Sequence, residues 1–78
     1  MFYTYVLKSL KDGKLYTGYC FDLKRRLDEH NRGKVPATQD RTPLKLIYYE
    51  ACLNKEKAIK REKYFKTGFG RGFLKKRI

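Results

Sequence analysis

Asp12-Gly13 stands between two aromatic and β-branched runs, Phe2 to Leu7 and Lys14 to Cys20. Asp-Gly is a tight-turn signal, because glycine enters positive φ without a Cβ penalty. The spacing predicts an antiparallel hairpin against which every other element must pack. Gly18 interrupts the second run. A position without a side chain inside a strand predicts a bulge or a close approach by another group.

The remaining elements follow from caps and apolar spacing. Asp22 is placed to cap a helix running to about Asn31, with Gly33 ending it. Leu23 and Leu27, one turn apart, mark its buried stripe, and Arg26 and His30 share a different one. Lys34 to Pro43 reads as a polar loop. Leu44 to Ala51 reads as a third strand, apolar on both sides and so partly covered on both. Asn54 caps a second helix that runs to about Lys66, with Leu53 and Ala58 spaced as a hydrophobic staple. Gly68-Phe69-Gly70-Arg71-Gly72 reads as a break before a short basic helix. The predicted order is β-β-α-β-α-α. The fold class is α+β, a three-stranded, largely antiparallel sheet flanked by helices.

Size limits what such a chain can do. Seventy-eight residues predict one domain over 1–78. A chain of this length buries only about 60% of its unfolded surface, which excludes a large enclosed cofactor cavity. No run of about 18 apolar residues is present to span a membrane. The first seven residues have neither a basic region nor a small-residue cleavage site, unlike a signal peptide. Cys20 and Cys52 form no CxxC pair, which fits a reducing cytoplasm and two small buried side chains.

The formal net charge is +12, from 20 Lys+Arg against 8 Asp+Glu. Seven Tyr and five Phe spread along the chain exclude disorder as its explanation. A folded basic domain calls for a polyanion, with nucleic acid first. Residues 54–78 hold ten basic and two acidic side chains, so the polyanion is expected mainly there. No segment pairs a basic face with a long apolar one, which argues against a membrane surface.

Several polar residues stand where packing does not ask for them. Tyr3 and Tyr5 share one strand face, and the hairpin brings Tyr5 close to Tyr16, with Tyr19 further along. These four tyrosines also suit a half-buried core. Glu62 falls on or beside the apolar stripe of Ala58, Ile59 and Phe65, where a carboxylate needs a basic partner or a metal. Arg26 lies in the basic run Lys24-Arg25-Arg26 but next to Leu27. His30, the only histidine, is either structural or functional.

In that order these residues resemble the GIY-YIG nuclease family. Tyr3-Thr4-Tyr5 and Tyr16-Thr17-Gly18 are similar to the two halves of its signature, and Asp22 to His30 to its first helix. Arg26 falls on the family's catalytic arginine, and His30 on a position that often carries His or Tyr. Ala58 to Glu62 resembles the helix bearing its metal-binding glutamate. The resemblance spans Tyr3 to about Phe65. It is to small single-domain members related to the N-terminal nuclease domain of the excinuclease, a DNA-repair enzyme. The sequence departs from the pattern at Tyr3, Thr4 and Thr17. It also has Tyr19 where the excinuclease domain has Lys, and no match to a late Asn that some members use.

The resemblance implies a DNA endonuclease using one Mg2+ or Mn2+ held by Glu62, with Arg26 meeting charge on the phosphate. Tyr5 would position a water. Either Tyr16 or His30 would take its proton. A free tyrosine ionises near pH 10, so a phenol base needs stabilisation of about 4 kcal/mol to act three units lower. A non-catalytic nucleic-acid-binding module on the same fold is the alternative.

Overall fold

A computed structural model describes residues 1–78. The elements are β1 (Phe2–Ser9), β2 (Leu15–Cys20), α1 (Leu23–Asn31), β3 (Leu44–Cys52), α2 (Lys55–Phe65) and α3 (Gly68–Lys75). The order and the α+β class are those the sequence predicts. The sheet is wholly antiparallel, in the order β2-β1-β3.

The hairpin turn is built by two side chains. Ser9 Oγ accepts from the Lys11 and Asp12 amides, at 3.1 and 3.2 Å. Asp12 Oδ1 accepts from the Lys14 amide at 2.8 Å, and Gly13 takes φ 74°. Asp12 also receives Arg41 Nε at 3.1 Å, which fastens the 34–43 loop to the hairpin.

Strand β1 is central, and Thr4 to Leu7 are buried on both of its faces. Tyr5 and Leu7 point one way, into a cluster with Leu44, Leu46, Leu23 and Leu27. Val6 points the other way, against Phe65 and Leu74, with Ile47, Tyr48 and Phe73 around them. Helix α1 therefore covers one face, and α2 with α3 the other. The Thr4 hydroxyl donates to the Ala58 carbonyl at 2.9 Å, pinning α2 to the central strand.

The expected caps form. Asp22 Oδ1 accepts from the Arg25 amide, and Asn54 Oδ1 from the Lys57 amide, each at 3.1 Å. Gly33, at φ 73°, ends α1. Two details, at Leu53 and at residues 68–72, differ from expectation, and at Gly18 the structure decides between the two readings. Leu53 is 83% exposed, so it staples nothing, because Ala58 has turned onto the sheet. Gly18 is no bulge: the β1–β2 register is regular, and the irregularity lies between Val6 and Leu7 against β3. Residues 68–72 do not interrupt helical structure beyond a sharp corner but form the first turns of α3. Thr67 Oγ1 caps them by accepting from the Gly70 amide at 3.1 Å. Gly70 is required by packing, since a Cβ there would collide with the Tyr64 carbonyl oxygen and sit 2.6 Å from Phe65 Cα. Close approach of two helices outweighs glycine's low helix propensity of about 1 kcal/mol.

Candidate active site

Tyr5 leaves the central strand and lays its phenol across the backbone of β2 at Gly18. A Cβ on Gly18 would stand 2.6 Å from the Tyr5 hydroxyl and 3.2 Å from Tyr16 Cε2. The glycine that interrupts β2 therefore makes room for the ring of its cross-strand neighbour. The phenol is 1% exposed, and its hydroxyl is 2.8 Å from His30 Nε2.

His30 is the one fully buried residue of α1, at 0% exposure. Its Nδ1 is 2.7 Å from Thr38 Oγ1 in the 34–43 loop. Burial, and then the Arg26 charge, lower its pKa to about 4, so the ring is neutral at pH 7. Arg26, one turn earlier, sets its guanidinium charge beside the Tyr5 hydroxyl in the same hollow. The neutral ring carries one N–H, so one of its nitrogens donates and the other accepts, with Tyr5 on Nε2 and Thr38 on Nδ1. One hydrogen-bonded chain thus runs Tyr5, His30, Thr38. Burial pushes the Tyr5 pKa up to about 12 despite the nearby Arg26 guanidinium, which opposes the shift.

Arg26 is further held by Glu29 Oε1 at 3.2 Å, and its side chain remains 37% exposed. Tyr16 is half-buried, with its ring edge-on to His30 at 5.1 Å between centroids. Glu62 lies on the α2 stripe of Ala58 and Phe65, which the sheet contact turns inward. Its side chain is 16% exposed, and Oε1 meets Lys66 Nζ at 3.2 Å. Lys66 is itself 56% exposed, and a surface pair of this kind contributes only up to about 1 kcal/mol.

Tyr5, Tyr16, Arg26 and Glu62 line one open hollow of about 390 Å3, together with Gly18, Tyr19 and Cys20. Four separate elements supply it. Of the residues singled out from sequence, His30 lies behind this wall rather than on it. Tyr3 is directed elsewhere, edge-on to Tyr49 at 6.0 Å. Burial raises the Cys20 pKa to about 11, which keeps its thiol protonated. Thr38 is the participant that sequence reasoning missed. It sits in a polar loop with no periodicity to mark it, eight residues after its partner. Cys20 is the other: its isolation from any second thiol marks it in the sequence only as a small apolar filler.

The hollow pairs a fixed cation with a carboxylate across a phenol. It can therefore hold an anion at Arg26 and a cation at Glu62. Glu62 is its only carboxylate, and no cluster of three His, Cys, Asp or Glu exists to enclose a metal. A single carboxylate suits Mg2+, which keeps most of its waters and takes oxygens from a phosphate.

Comparison with known proteins shows the family. The family model of the GIY-YIG catalytic domain matches residues 1–76. A UPF0213 protein of Streptococcus agalactiae serotype V is 51% identical over 65 residues, covering 82% of this chain and 73% of the relative. One from Staphylococcus saprophyticus is 44% identical over 66 residues, covering 83% and 79%. The solution structure of a UPF0213 protein from Bacillus halodurans aligns with TM-score 0.56 at 36% identity. That alignment covers 95% of this chain and 82% of that one. The match of the family model over nearly the whole chain makes this protein a member of the nuclease-type GIY-YIG family.

Proposed function

We propose that the chain is a divalent-metal-dependent endonuclease that hydrolyses phosphodiester bonds in DNA, selecting DNA structure rather than base sequence. The observation that carries the reading is the shared hollow of Tyr16, Arg26 and Glu62. Family membership supports a nuclease, and the charge of +12 supports a nucleic-acid substrate. None of the short helices has the form of a recognition helix fitted to base edges, so strong sequence preference is not expected.

Arg26 binds the phosphate and balances charge that grows on its non-bridging oxygens during attack. Glu29 holds the guanidinium ready, so little reorganisation is needed at that moment. Tyr16 takes the proton of the attacking water. Tyr5 is poorly suited to that task, because burial keeps it protonated and its hydroxyl is engaged by His30. His30 is equally poorly suited, being buried and bonded at both ring nitrogens. These two act by orientation: His30 holds Tyr5, and Tyr5 forms one wall of the hollow beside Arg26. Glu62 would hold Mg2+ or Mn2+, which when bound supplies positive charge to the leaving oxygen. Lys66 must then yield its place on the carboxylate, a small cost for an exposed pair.

A cytoplasmic setting belongs to the same proposal, supported by the free thiols of Cys20 and Cys52. No helix is long and apolar enough to cross a membrane.

The test is nicking of supercoiled plasmid, with chelator and with Mg2+ or Mn2+. Metal-dependent nicking is expected, lost in Arg26→Ala and Glu62→Ala while DNA binding persists. Tyr16→Phe is expected to fold and bind but to cleave roughly 100-fold more slowly. Nicking by Tyr16→Phe at the parental rate would move the base elsewhere. A parent that binds DNA but never nicks it with either metal would instead be a non-catalytic binding module.

A further inference from the structure

A second groove adjoins the hollow and is not used by the chemistry above. It has a volume of about 590 Å3, runs between the start of β2 and α3, and shares Tyr16 with the hollow. Lys14, Lys66, Arg71 and Lys75 line it, and no acidic residue does. Arg71 and Lys75 are one helical turn apart on α3 and so stand on one stripe. Between the cations the surface is apolar. Phe65 and Leu74 are buried beneath it, while Leu15 and Ile78 are 43% and 47% exposed.

A cationic rim over an apolar floor selects its occupant. Duplex DNA offers phosphates and base edges, with its base faces stacked on one another. It would satisfy the cations and leave Leu15 and Ile78 in water. An acidic peptide would do the same, since the side chains that carry its charge are not apolar. An unpaired strand presents phosphates and bare base faces together.

We propose that this groove binds an unpaired stretch of nucleic acid flanking the phosphate at Tyr16. Its phosphates lie against Lys14, Arg71 and Lys75, and its base faces against Leu15 and Ile78. The inference rests on the nuclease reading for the position of the phosphate. It narrows the substrate to DNA with a single-stranded flank, such as a flap or a fork.

The test measures binding with chelator present, so that cleavage plays no part. The probes are a labelled short oligothymidylate and a duplex of the same length, followed by fluorescence anisotropy. Leu15→Ser with Ile78→Ser is expected to weaken oligothymidylate binding roughly tenfold and to leave duplex binding unchanged. Arg71→Gln with Lys75→Gln is expected to flatten the log–log salt slope for the oligothymidylate by about 1.4. Both floor residues are exposed, so the fold should survive; should the pair of changes unfold it, Ile78→Ser alone carries the comparison. The proposal fails if the floor variants weaken both probes equally or neither. It also fails if an oligoglutamate of matched charge displaces the oligothymidylate equally well. Plasmid nicking separates the two readings. Nicking with an indifferent groove overturns only the groove, whereas groove-dependent binding without nicking overturns only the nuclease.

Discussion

The Tyr5 hydroxyl and His30 Nε2, 25 residues apart in the chain, lie 2.8 Å apart in the core. That bond decides the roles of both residues. It fastens the phenol inward, on the side of the hollow where Arg26 stands. It also ties the histidine between Tyr5 and Thr38 in the interior, where burial keeps the ring neutral.

Stability should therefore depend on pH through His30. In the unfolded chain the ring titrates near 6.5. In the fold its pKa is lowered to about 4. Between these values the unfolded state binds more protons, so stability rises with pH across the window. It is fully present above about 6.5 and is lost as pH falls towards 4, by up to about 3 kcal/mol. Urea unfolding at several pH values should show this slope in the parent and its absence in His30→Gln. An equal slope in both would place the titration elsewhere.

Gly18→Ala should cost about 1–3 kcal/mol and most of the nuclease activity. Its Cβ would enter the space of the Tyr5 hydroxyl and Cζ, 2.6 and 2.7 Å away. The ring must then swing off His30 and Arg26. Thermal melting reads the first effect and plasmid nicking the second, while DNA affinity should be unchanged.

Two glycines of α3 should respond oppositely to the same substitution. Gly72→Ala meets nothing within 4 Å and should stabilise by about 0.5–1 kcal/mol, the usual helical gain. Gly70→Ala meets the backbone of Tyr64 and Phe65, which cannot step aside. It should destabilise by several kcal/mol by levering α3 off α2. Chemical denaturation of both variants checks the sign of each.

Arg61 is expected to be the main polar tie between α2, β3 and α3. Its Nε and Nη2 reach the two Glu50 oxygens at 2.8 and 3.1 Å, and Tyr48 donates to the same carboxylate at 2.7 Å. The guanidinium also lies 4.5 Å from the centre of the Phe73 ring. Hydrogen bonds from Arg61 and Tyr48, with the Arg61 charge, hold the Glu50 pKa below its usual value although burial opposes this. Arg61→Ala should cost about 1–3 kcal/mol. Arg61→Lys should recover little of it, because an ammonium lacks the planar fork. Melting temperatures of the two variants give the comparison.

Much of the fold is legible in local chemistry. Asp12-Gly13, the caps Asp22 and Asn54 and the terminating Gly33 act within a few residues, so their effects can be read along the chain. The stripe of Ala58, Glu62 and Phe65 is legible for the same reason, as a helical repeat. Local rules misread residues 68–72, where glycine propensity predicts a break. They misread Leu53 too, since its spacing is right but the sheet has claimed Ala58.

What lies beyond local rules is every property set by residues distant in sequence. Whether His30 is surface or core depends on the loop that brings Thr38 over it. Whether Gly18 marks a bulge or a seat depends on which ring crosses it. Whether Arg26, Tyr16 and Glu62 meet depends on two helices docking against one sheet. Turns and caps are governed by hydrogen bonds between near neighbours in sequence. Desolvation and close packing are governed by whatever the folded chain places nearby, and no stretch of sequence carries that information alone.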